Sequence, residues 1–562
     1  MSGPSRLSLL LLGAALALAG CSAVPTSSSV EVVHTVPVGQ PAGPVDISPP
    51  AGADARTIVS GFLEANAASD PNHNAARSFL TPEEKNRWLD ATGITVIDRP
   101  EIGNLVGGKV TVTGREIGTI DATGVYMPAL RGNGTGTGGP PLSLSFGMQQ
   151  VKGQWRIDSL QSGLLVSQAQ FQQYQQRALY FFDVSEEHLV PDPRYTQLTD
   201  SHDLAAWLVA GLARGPRGGL QTGLPNQSDP KRVQIEFPSG SAITKVEIPG
   251  AGQLDTKNRD RLSAQLAGTL AQAGVGDIEI TDGGRPVRIP AVGGNTFSAG
   301  DLTGQFDVTP PDTALYYIHD GAVLTQSGRR VAGRLGAGSY DLTSVAMSPA
   351  VEANGPSGLL VAGVRGTGTN EYLDIGTTAS LVATRLHGEL SRPAWAPDVP
   401  EVWIGAGANL YRVSPNGTMH VVPVDAAVGK ASGTVIAVRL SPEGSRVALV
   451  LKAPDGSAQI YIGAVVRGTS DVRVADLAPI SPQSIAVNDV AWNDQLKLFA
   501  IGTDETTGSW GLYEVQCDGS LWTLRNNSGL PQAPDSLTVA AGSVAVVSAG
   551  DTVWEQQAGS WG

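Results

Sequence analysis

Cysteine is almost missing from this chain, which has two among its 562 residues, Cys21 and Cys517. A disulfide within the chain could join only these two. Because Cys21 is assigned to lipid attachment below, we expect no internal disulfide, and Cys517 is predicted to be a small buried apolar side chain. Stability must then come from buried apolar surface, and a chain of this length can form several domains with large cores.

Basic residues are also few: 38 Lys and Arg stand against 52 Asp and Glu, a net charge of −14. Such a surface repels nucleic acid and anionic lipid headgroups, so we expect no nucleic-acid partner and no basic membrane-binding patch. After the first 20 residues no run of apolar residues approaches the length that spans a bilayer. The sequence therefore predicts no transmembrane helix.

The motifs of common catalytic and metal sites are missing as well. No H-E-x-x-H, C-x-x-C or G-x-S-x-G pattern occurs, and the seven histidines form no i, i+4 pair. Residues 103–109 match most of a phosphate-binding loop, but Val110 follows where Ser or Thr is needed, so we expect a hairpin loop there. We predict no enzymatic activity, no cofactor and no metal site, although the abundant carboxylates leave a catalytic pair open.

The first 21 residues have the pattern of a bacterial lipoprotein signal. Arg6 precedes an apolar run over 7–18 that is too short to span a bilayer, and Leu18-Ala19-Gly20-Cys21 matches a lipobox. We predict that residues 1–20 are a signal peptide and that Cys21 carries acyl chains such as palmitate. An ordinary signal with an accidental Cys, or an uncleaved anchor, is the alternative. Residues 21–53, rich in Pro, Ser and Gly, are predicted to be a linker.

Residues 54–165 are predicted to form an α+β domain. Asp54 is placed to cap a first helix, and Thr81 a second one in a capping box with Glu84. Four strand patterns follow, at 109–113, 124–127, 142–146 and 154–157. This order, helices before strands, is similar to the NTF2-like cone fold. Such a cone can hold a ligand or serve as a structural spacer, and the residues favour the spacer because no polar cluster stands out.

Residues 175–292 form the next predicted domain. Its strand and helix patterns follow the order β-α-β-β-α-β, which is typical of a split sheet with helices on one face. The motif Tyr180-Phe181-Phe182, Arg194, the helix end at Gly215-Pro216 and the turn at Asp282-Gly283 resemble a GerMN module. That resemblance implies an interaction domain of bacterial envelope proteins, and it offers no catalytic residues to transfer.

The remainder, residues 300–562, repeats itself. Five similar segments have pivot residues at intervals of 48, 45, 52 and 47, namely Met347, Trp395, Leu440, Trp492 and Val539. An apolar strand and then an aromatic strand follow the pivots. A period of 40–50 residues with several short strands predicts a β-propeller, with an unrelated β-sandwich as the alternative. Trp395 and Trp492 are expected to be buried between blades, and a strand at 315–318 should either join the last blade or begin its own.

Three aspartates stand at similar places before the pivots, Asp341, Asp489 and Asp535. We expect them to cap turns or to bond backbone within a blade. The alternative is a metal or substrate role in the central channel, where propellers often hold ligand groups.

The order of lipobox, linker, α+β domain, GerMN-like module and propeller resembles the LpqB lipoprotein family of actinobacteria over nearly the whole chain. The resemblance implies a multidomain fold, α+β and then all-β, anchored by lipid on the extracytoplasmic face of the cell membrane. It further implies contact with the extracytoplasmic domain of an MtrB-like sensor histidine kinase. Through that contact the protein would modulate MtrAB-type two-component signalling in envelope homeostasis and cell division.

Two other classes of function stay open at the level of sequence. A cell-wall glycan-binding lipoprotein would place exposed Trp and Tyr side chains at the propeller mouth, where they stack on sugar rings. A propeller hydrolase or dehydrogenase would gather carboxylates around a metal in the channel. The arrangement of these side chains in the structure distinguishes the two classes.

Overall fold

A computed structural model of the chain describes residues 48–68, 71–129, 139–217, 220–225, 229–302, 306, 314–349, 359–426, 433–468, 471–482, 484–525, 527, 529–540, 544–557 and 560–562. These residues form three modules: an N-terminal module (48–171), a middle module (175–302) and a propeller (316–561). The predicted signal peptide, Cys21 and most of the predicted linker lie outside the described residues. The predicted fold class, an α+β region followed by a strand-rich propeller, is confirmed.

The N-terminal module packs short helices against one sheet. Its helices are α1 (Ala55–Asn66), α2 (Asn74–Arg77), α3 (Pro82–Arg87) and α4 (Gln168–Phe171). Its strands are β1 (Ile94–Ile102), β2 (Lys109–Ile120), β3 (Tyr126–Pro128), β4 (Pro141–Val151), β5 (Gln154–Ser159) and β6 (Leu164–Ser167). The sheet order is β5-β4-β2-β1-β6, with β3 beside β2. Residues 103–108 connect β1 to β2 as the predicted hairpin loop.

Side chains at the helix starts explain where the first helices begin. The Asp54 side chain accepts a hydrogen bond of 2.7 Å from the backbone N–H of Thr57, which confirms the predicted cap of α1. Thr81 caps α3 through the N–H of Glu84 at 3.3 Å, but the Glu84 carboxylate pairs with Arg87 instead of completing a capping box. Helix α3 therefore starts where the sequence predicts, with half of the predicted motif.

The middle module contains a five-stranded sheet covered by helices. Its helices are α5 (Ser201–Arg214), α6 (Thr256–Leu270) and α7 (Ala299–Leu302). Its strands are β7 (Gln175–Phe182), β8 (Leu189–Thr196), β9 (Gln234–Glu236), β10 (Ile243–Glu247), β11 (Asp277–Asp282), β12 (Arg285–Pro286) and β13 (Thr296–Phe297). The sheet order is β12-β11-β10-β9, with β13 beside β11.

The first strand of this module departs from the predicted order. Instead of entering the sheet, β7 pairs antiparallel with β8 along its whole length to form a two-stranded unit, here called the docking hairpin. Every residue of β8 is buried. Strand β8 is buried on both faces because it lies between the middle module and the propeller. The apolar pattern of such a strand is the same as that of a strand buried inside a sheet, so sequence periodicity cannot distinguish the two.

The propeller consists of consecutive antiparallel sheets. The described residues form five four-stranded blades, numbered 1 to 5 in chain order. The inner two strands of the blades are β16 (Leu342–Pro349) and β17 (Leu359–Arg365), β20 (Ala394–Trp395) and β21 (Val402–Ala406), β25 (Thr434–Leu440) and β26 (Arg446–Lys452), β29 (Ile485–Trp492) and β30 (Lys497–Asp504), β33 (Ser536–Ala540) and β34 (Val544–Ala549). The outer two are β18 (Glu371–Thr377) and β19 (Leu381–Gly388), β22 (Asn409–Val413) and β23 (Met419–Val421), β27 (Ala458–Arg467) and β28 (Val472–Pro479), β31 (Trp510–Gln516) and β32 (Trp522–Leu524), β35 (Thr552–Gln557) and β36 (Ser560–Trp561).

Three further strands belong to the propeller. Strand β24 (Val424–Ala426) lies parallel to β28 on the outer edge of blade 3. Strands β14 (Tyr316–His319) and β15 (Ala322–Thr325) pair with each other, so the early strand begins a small unit of its own and does not join the last blade. This unit packs on blade 1 through Val323, and Gln326 hydrogen-bonds Glu555 of blade 5 at 3.3 Å. It therefore lies where the ring closes.

Candidate functional site

A buried carboxylate connects four blades of the propeller. Asp489 of β29, 1 % exposed, accepts hydrogen bonds from Arg392 of blade 2 at 2.5 Å and from Arg439 of blade 3 at 3.2 Å. It also accepts the backbone N–H groups of Val490 at 2.9 Å and of Leu537 of blade 5 at 3.0 Å. We call Asp489, Arg392 and Arg439 the hub.

The charges in the hub are unequal, because two guanidinium groups share one carboxylate. Burial lowers the pKa of Arg439, and the nearby charge of Arg392 acts in the same direction, while Asp489 opposes them. Arg392 gains a second acceptor in the carbonyl of Asp535, at 2.6 Å. Both carboxylate oxygens of Asp489 thus accept hydrogen bonds from this protein's own groups, from four residues in all, and this arrangement fastens the blades together.

The hub corrects part of the expectation for the three aspartates. Asp489 bonds backbone as expected, but mainly across blades and not within one. Asp535 contributes its carbonyl and not its carboxylate, and Asp341 is exposed with a φ of 52° ahead of β16. Sequence reasoning missed Arg392, although a signal was present: Arg392 and Asp489 each stand three residues before a Trp pivot.

The Trp pivots join neighbouring blades. The indole N–H of Trp492 donates to the carbonyl of Arg439 in blade 3, and that of Trp395 donates to the carbonyl of Ala346 in blade 1, both at 3.1 Å. Each acceptor immediately precedes the pivot of the preceding blade. The predicted burial is confirmed for Trp492, which is 8 % exposed, whereas Trp395 lies between blades but is only half-buried.

The docking hairpin binds one face of the propeller. Gln495 donates from its side chain to the carbonyl of Leu189 at 3.0 Å, and Arg446 donates to the carbonyl of Pro191 at 3.4 Å. The Tyr195 hydroxyl pairs with the Ser520 hydroxyl. These propeller residues lie in or beside the turns β25–β26, β29–β30 and β31–β32, which open on the same face because successive strands of a blade run in opposite directions. We call this contact the junction.

Ion pairs are concentrated at the junction. Asp192 of β8 accepts both guanidinium nitrogens of Arg194, at 2.7 and 2.8 Å, and also binds Arg217 at 2.5 Å. Burial alone would raise the pKa of Asp192, but Arg217 and Arg194 outweigh it and hold that pKa below its usual value. On the propeller side, Arg446 binds Glu443 at 2.9 Å. The buried backbone of β8 thus runs through a layer of paired charges.

Cys517 lies in the same layer and is buried, as predicted. An Arg446 guanidinium nitrogen is 3.6 Å from its Sγ atom. Burial nevertheless raises the pKa of the thiol to about 12, so it stays protonated at neutral pH.

The N-terminal module meets the other two at Tyr195. The Tyr195 ring lies 5.1 Å from that of Phe171 and 6.2 Å from that of Tyr126, measured between centroids, and Leu521 of the propeller packs on the same cluster. Gly124 of the N-terminal module allows the middle module to come this close, because its φ is +82° and a Cβ at this position would lie 2.7 Å from the Trp207 ring. Tyr126 and Phe171 of the N-terminal module are thus covered by side chains from the middle module and the propeller.

The other features that could indicate a functional site lie outside the hub and the junction. No set of three or more His, Cys, Asp or Glu side chains able to hold a metal occurs among the described residues. Within the same residues, no helix has the length and apolar character needed to span a bilayer. A surface cleft of about 720 Å³ lies between the start of α1 and the end of β1, lined by Asp54, Arg56, Thr57, Ser60, Pro100, Glu101 and Ile102. Cys21, the predicted lipid attachment site, lies outside the described residues.

Two family models match the chain. "Lipoprotein LpqB, N-terminal domain" matches residues 48–172, and "Lipoprotein LpqB beta-propeller domain" matches residues 321–562. The stretch between them contains most of the middle module, so its resemblance to GerMN stays a prediction.

Curated relatives extend over most of the chain. The protein named Lipoprotein LpqB of Mycolicibacterium smegmatis is 29 % identical over 476 residues, which cover 79 % of this chain and 78 % of that protein. The protein of the same name from Nocardia farcinica is 27 % identical over 594 residues, covering 97 % and 92 %.

Solved structures share only low sequence identity and low TM-scores with this chain. A putative TolB from Agrobacterium tumefaciens is 15 % identical with a TM-score of 0.24, covering 32 % of this chain and 62 % of that one. A puromycin-hydrolyzing peptidase of Mycobacterium tuberculosis is 15 % identical with a TM-score of 0.30, covering 42 % and 41 %.

Proposed function

Because the chain belongs to the LpqB lipoprotein family, we propose that it modulates a sensor histidine kinase by protein contact, from the extracytoplasmic face of the membrane. The family membership is the observation that carries the proposal, since it implies a membrane-anchored protein of the cell envelope. The partner is the outer domain of an MtrB-like kinase, and the signalling affects envelope homeostasis and cell division. The role is non-catalytic.

The junction supports a role in protein contact. Strand β8 is buried throughout, and the hydrogen bonds of Gln495 and Arg446 to its carbonyls fasten the middle module to the propeller. Two modules held in one arrangement present a fixed combined surface, which reduces the entropy lost when a partner binds. A body of this kind suits recognition of a folded domain.

Tethering supports the same proposal. Lipid on Cys21 would hold the chain at the membrane through a linker of about 30 residues, which spans roughly 30 Å as a coil. This range confines the modules to the layer that contains a kinase's outer domain. Confinement raises the effective concentration, so even a weak interface would be well occupied.

The test separates the contact from the anchor. The full chain and its Cys21→Ala variant should bind the purified outer domain of the kinase equally well in solution, because residue 21 is remote in sequence from the folded modules. In cells lacking the native protein, only the wild type should restore phosphorylation of the cognate regulator. Absence of binding, together with unchanged phosphorylation in the deletion strain, would refute the proposal.

One observation favours a second candidate, a lipoprotein that binds cell-wall glycan. Among the Trp and Tyr side chains, all of which the structure describes, Tyr372 alone is exposed, at 38 %. The Arg365 guanidinium lies 4.7 Å from its ring centroid, and His387 flanks it. Quenching of intrinsic fluorescence by wall fragments, lost in Tyr372→Ala, would favour this candidate.

A further inference from the structure

A buried carboxyl group with an unused oxygen lies beneath the docking hairpin. Asp518 belongs to the turn between β31 and β32, and its Oδ1 atom accepts the backbone N–H of Ser520 at 3.0 Å. Its Oδ2 atom is buried and has no hydrogen-bond partner among the described residues. Ser520 in turn pairs with Tyr195 of β8, so Asp518 is covered by the hairpin itself.

The groups around Asp518 come from all three modules. From the middle module these are Arg217 and Tyr195, from the N-terminal module Tyr126, and from the propeller Cys517, beyond which lie Arg446 and Glu443. Burial raises the pKa of Asp518, and the opposing effects of Ser520, of Arg217 and of the Tyr195 hydroxyl do not cancel it. Arg217 is already bound to Asp192, so its charge is largely compensated. Docking therefore favours the protonated carboxyl.

The turn of the docking hairpin behaves in the same way. The hydrogen bond that the His188 ring donates to the Asp183 carboxylate raises the pKa of His188, and the charges of Glu187 and of Asp398 in blade 2 add to it. Burial raises the pKa of Asp398 despite the opposing charge of Arg467. The charge of Asp398 is the part of the effect on His188 that comes from the propeller, whereas Asp183 and Glu187 belong to the hairpin itself.

We propose that the junction is a proton-dependent latch, in which the hairpin closes on Asp518 in its neutral form and loosens when that carboxyl ionises. The ionised group would need water, which it reaches only if the hairpin lifts from the turn at 517–521. This device belongs to the molecule itself and does not depend on which partner the protein contacts.

The direction of the pH effect follows from the raised pKa of Asp518. A carboxyl whose pKa is higher in the docked state favours docking most below its ordinary pKa of about 4, and this advantage is lost as pH rises through the docked value. The charge of Asp398 acts in the same direction through His188, because it raises the pKa of His188 only while the hairpin is docked. The latch should therefore tighten in mild acid and loosen toward alkaline pH.

Hydrogen exchange on the full chain in detergent micelles tests the latch. The measured quantity is the protection of peptides from β8, corrected for intrinsic exchange rates, between about pH 5 and pH 8. Protection should fall with rising pH, by up to about tenfold for each unit by which docking raises the pKa of Asp518. Peptides from β30 of the same blade should keep their protection, which shows that the blade stays folded.

Two variants test whether the pH dependence of β8 protection comes from Asp518. Asp518→Asn keeps the shape of the side chain without its charge, and it should remove most of the pH dependence of β8. Asp504→Asn alters a half-buried aspartate on the opposite end of blade 4, where its carboxylate accepts a hydrogen bond from the backbone N–H of Thr506, and it should leave the dependence unchanged. A pH-independent β8 in the wild type, or an unaltered pH dependence in Asp518→Asn, would overturn the proposal. The wild-type measurement decides even if Asp518→Asn fails to fold.

Discussion

Replacing Asp489 by Ala should destabilise the propeller strongly. The substitution removes the shared partner of Arg392 and Arg439 and leaves the N–H of Leu537 without its acceptor. Removing one member of a buried ion pair costs about 3–5 kcal/mol. Because the Arg392 side chain is 36 % exposed and that of Arg439 19 %, water compensates in part, and about 3 kcal/mol is expected.

Native-state hydrogen exchange in β29 measures this loss without assuming that the whole chain unfolds in one step. Asp489→Asn retains one acceptor and should cost less, about 1–2 kcal/mol. Asp535→Ala is the matched control: its side chain is exposed and the hub uses only its carbonyl, so its effect should stay within about 0.5 kcal/mol. The hub would lose its assigned role if Asp489→Ala and Asp535→Ala proved equally mild.

Three further predictions concern other parts of the chain. Cys21→Ala should be released from the membrane or remain uncleaved, because it cannot be acylated, and normal membrane retention of a processed variant in cell fractionation would contradict the assignment. Trp492→Ala should cost about 3–5 kcal/mol by thermal unfolding. Trp492→Phe keeps an aromatic ring but loses the indole hydrogen bond, so it should cost about 1 kcal/mol, and a Trp492→Phe variant as stable as the wild type would argue against the blade-joining role of the N–H. Since Arg217 and Arg194 hold the pKa of Asp192 below its usual value, its contribution to stability is complete above about pH 4 and is lost as pH falls through the lowered value, so Asp192→Asn should flatten the acid limb of the urea midpoint, and an unchanged limb would count against it.

Local signals in the sequence were sufficient to predict most helices and strands, but they did not predict the contacts between modules. Asp54 caps α1 because capping depends on neighbours three residues away. The pivots predicted blades because each repeat has the same local pattern. The second predicted helix, by contrast, ends already at Arg87, and Leu89 just beyond it is 58 % exposed although it is a large apolar side chain. Helix ends are set by tertiary packing more than by periodicity.

The docking hairpin shows the limit most clearly. The residues 179–182 have the pattern of a sheet strand, and nothing nearby indicates that their partner is the Leu189 strand or that Tyr195 will meet Ser520, 325 positions later. The hub was half visible, since Asp489 was singled out. Its partners Arg392 and Arg439 were not singled out, because a repeat pattern shows only the residues that the blades have in common. Arg392, Arg439 and Asp489 are residues in which the blades differ.

That difference restricts how the ring can evolve. Repeated units invite unequal recombination, which duplicates or deletes a blade while preserving the sheet pattern. Here, losing blade 2 would remove Arg392, and losing blade 4 would leave Arg392 and Arg439 without their shared carboxylate. An extra copy of either would introduce a charge with no counterpart. The hub therefore makes the blades non-interchangeable, and a change in ring size would require compensating substitutions at several positions at once.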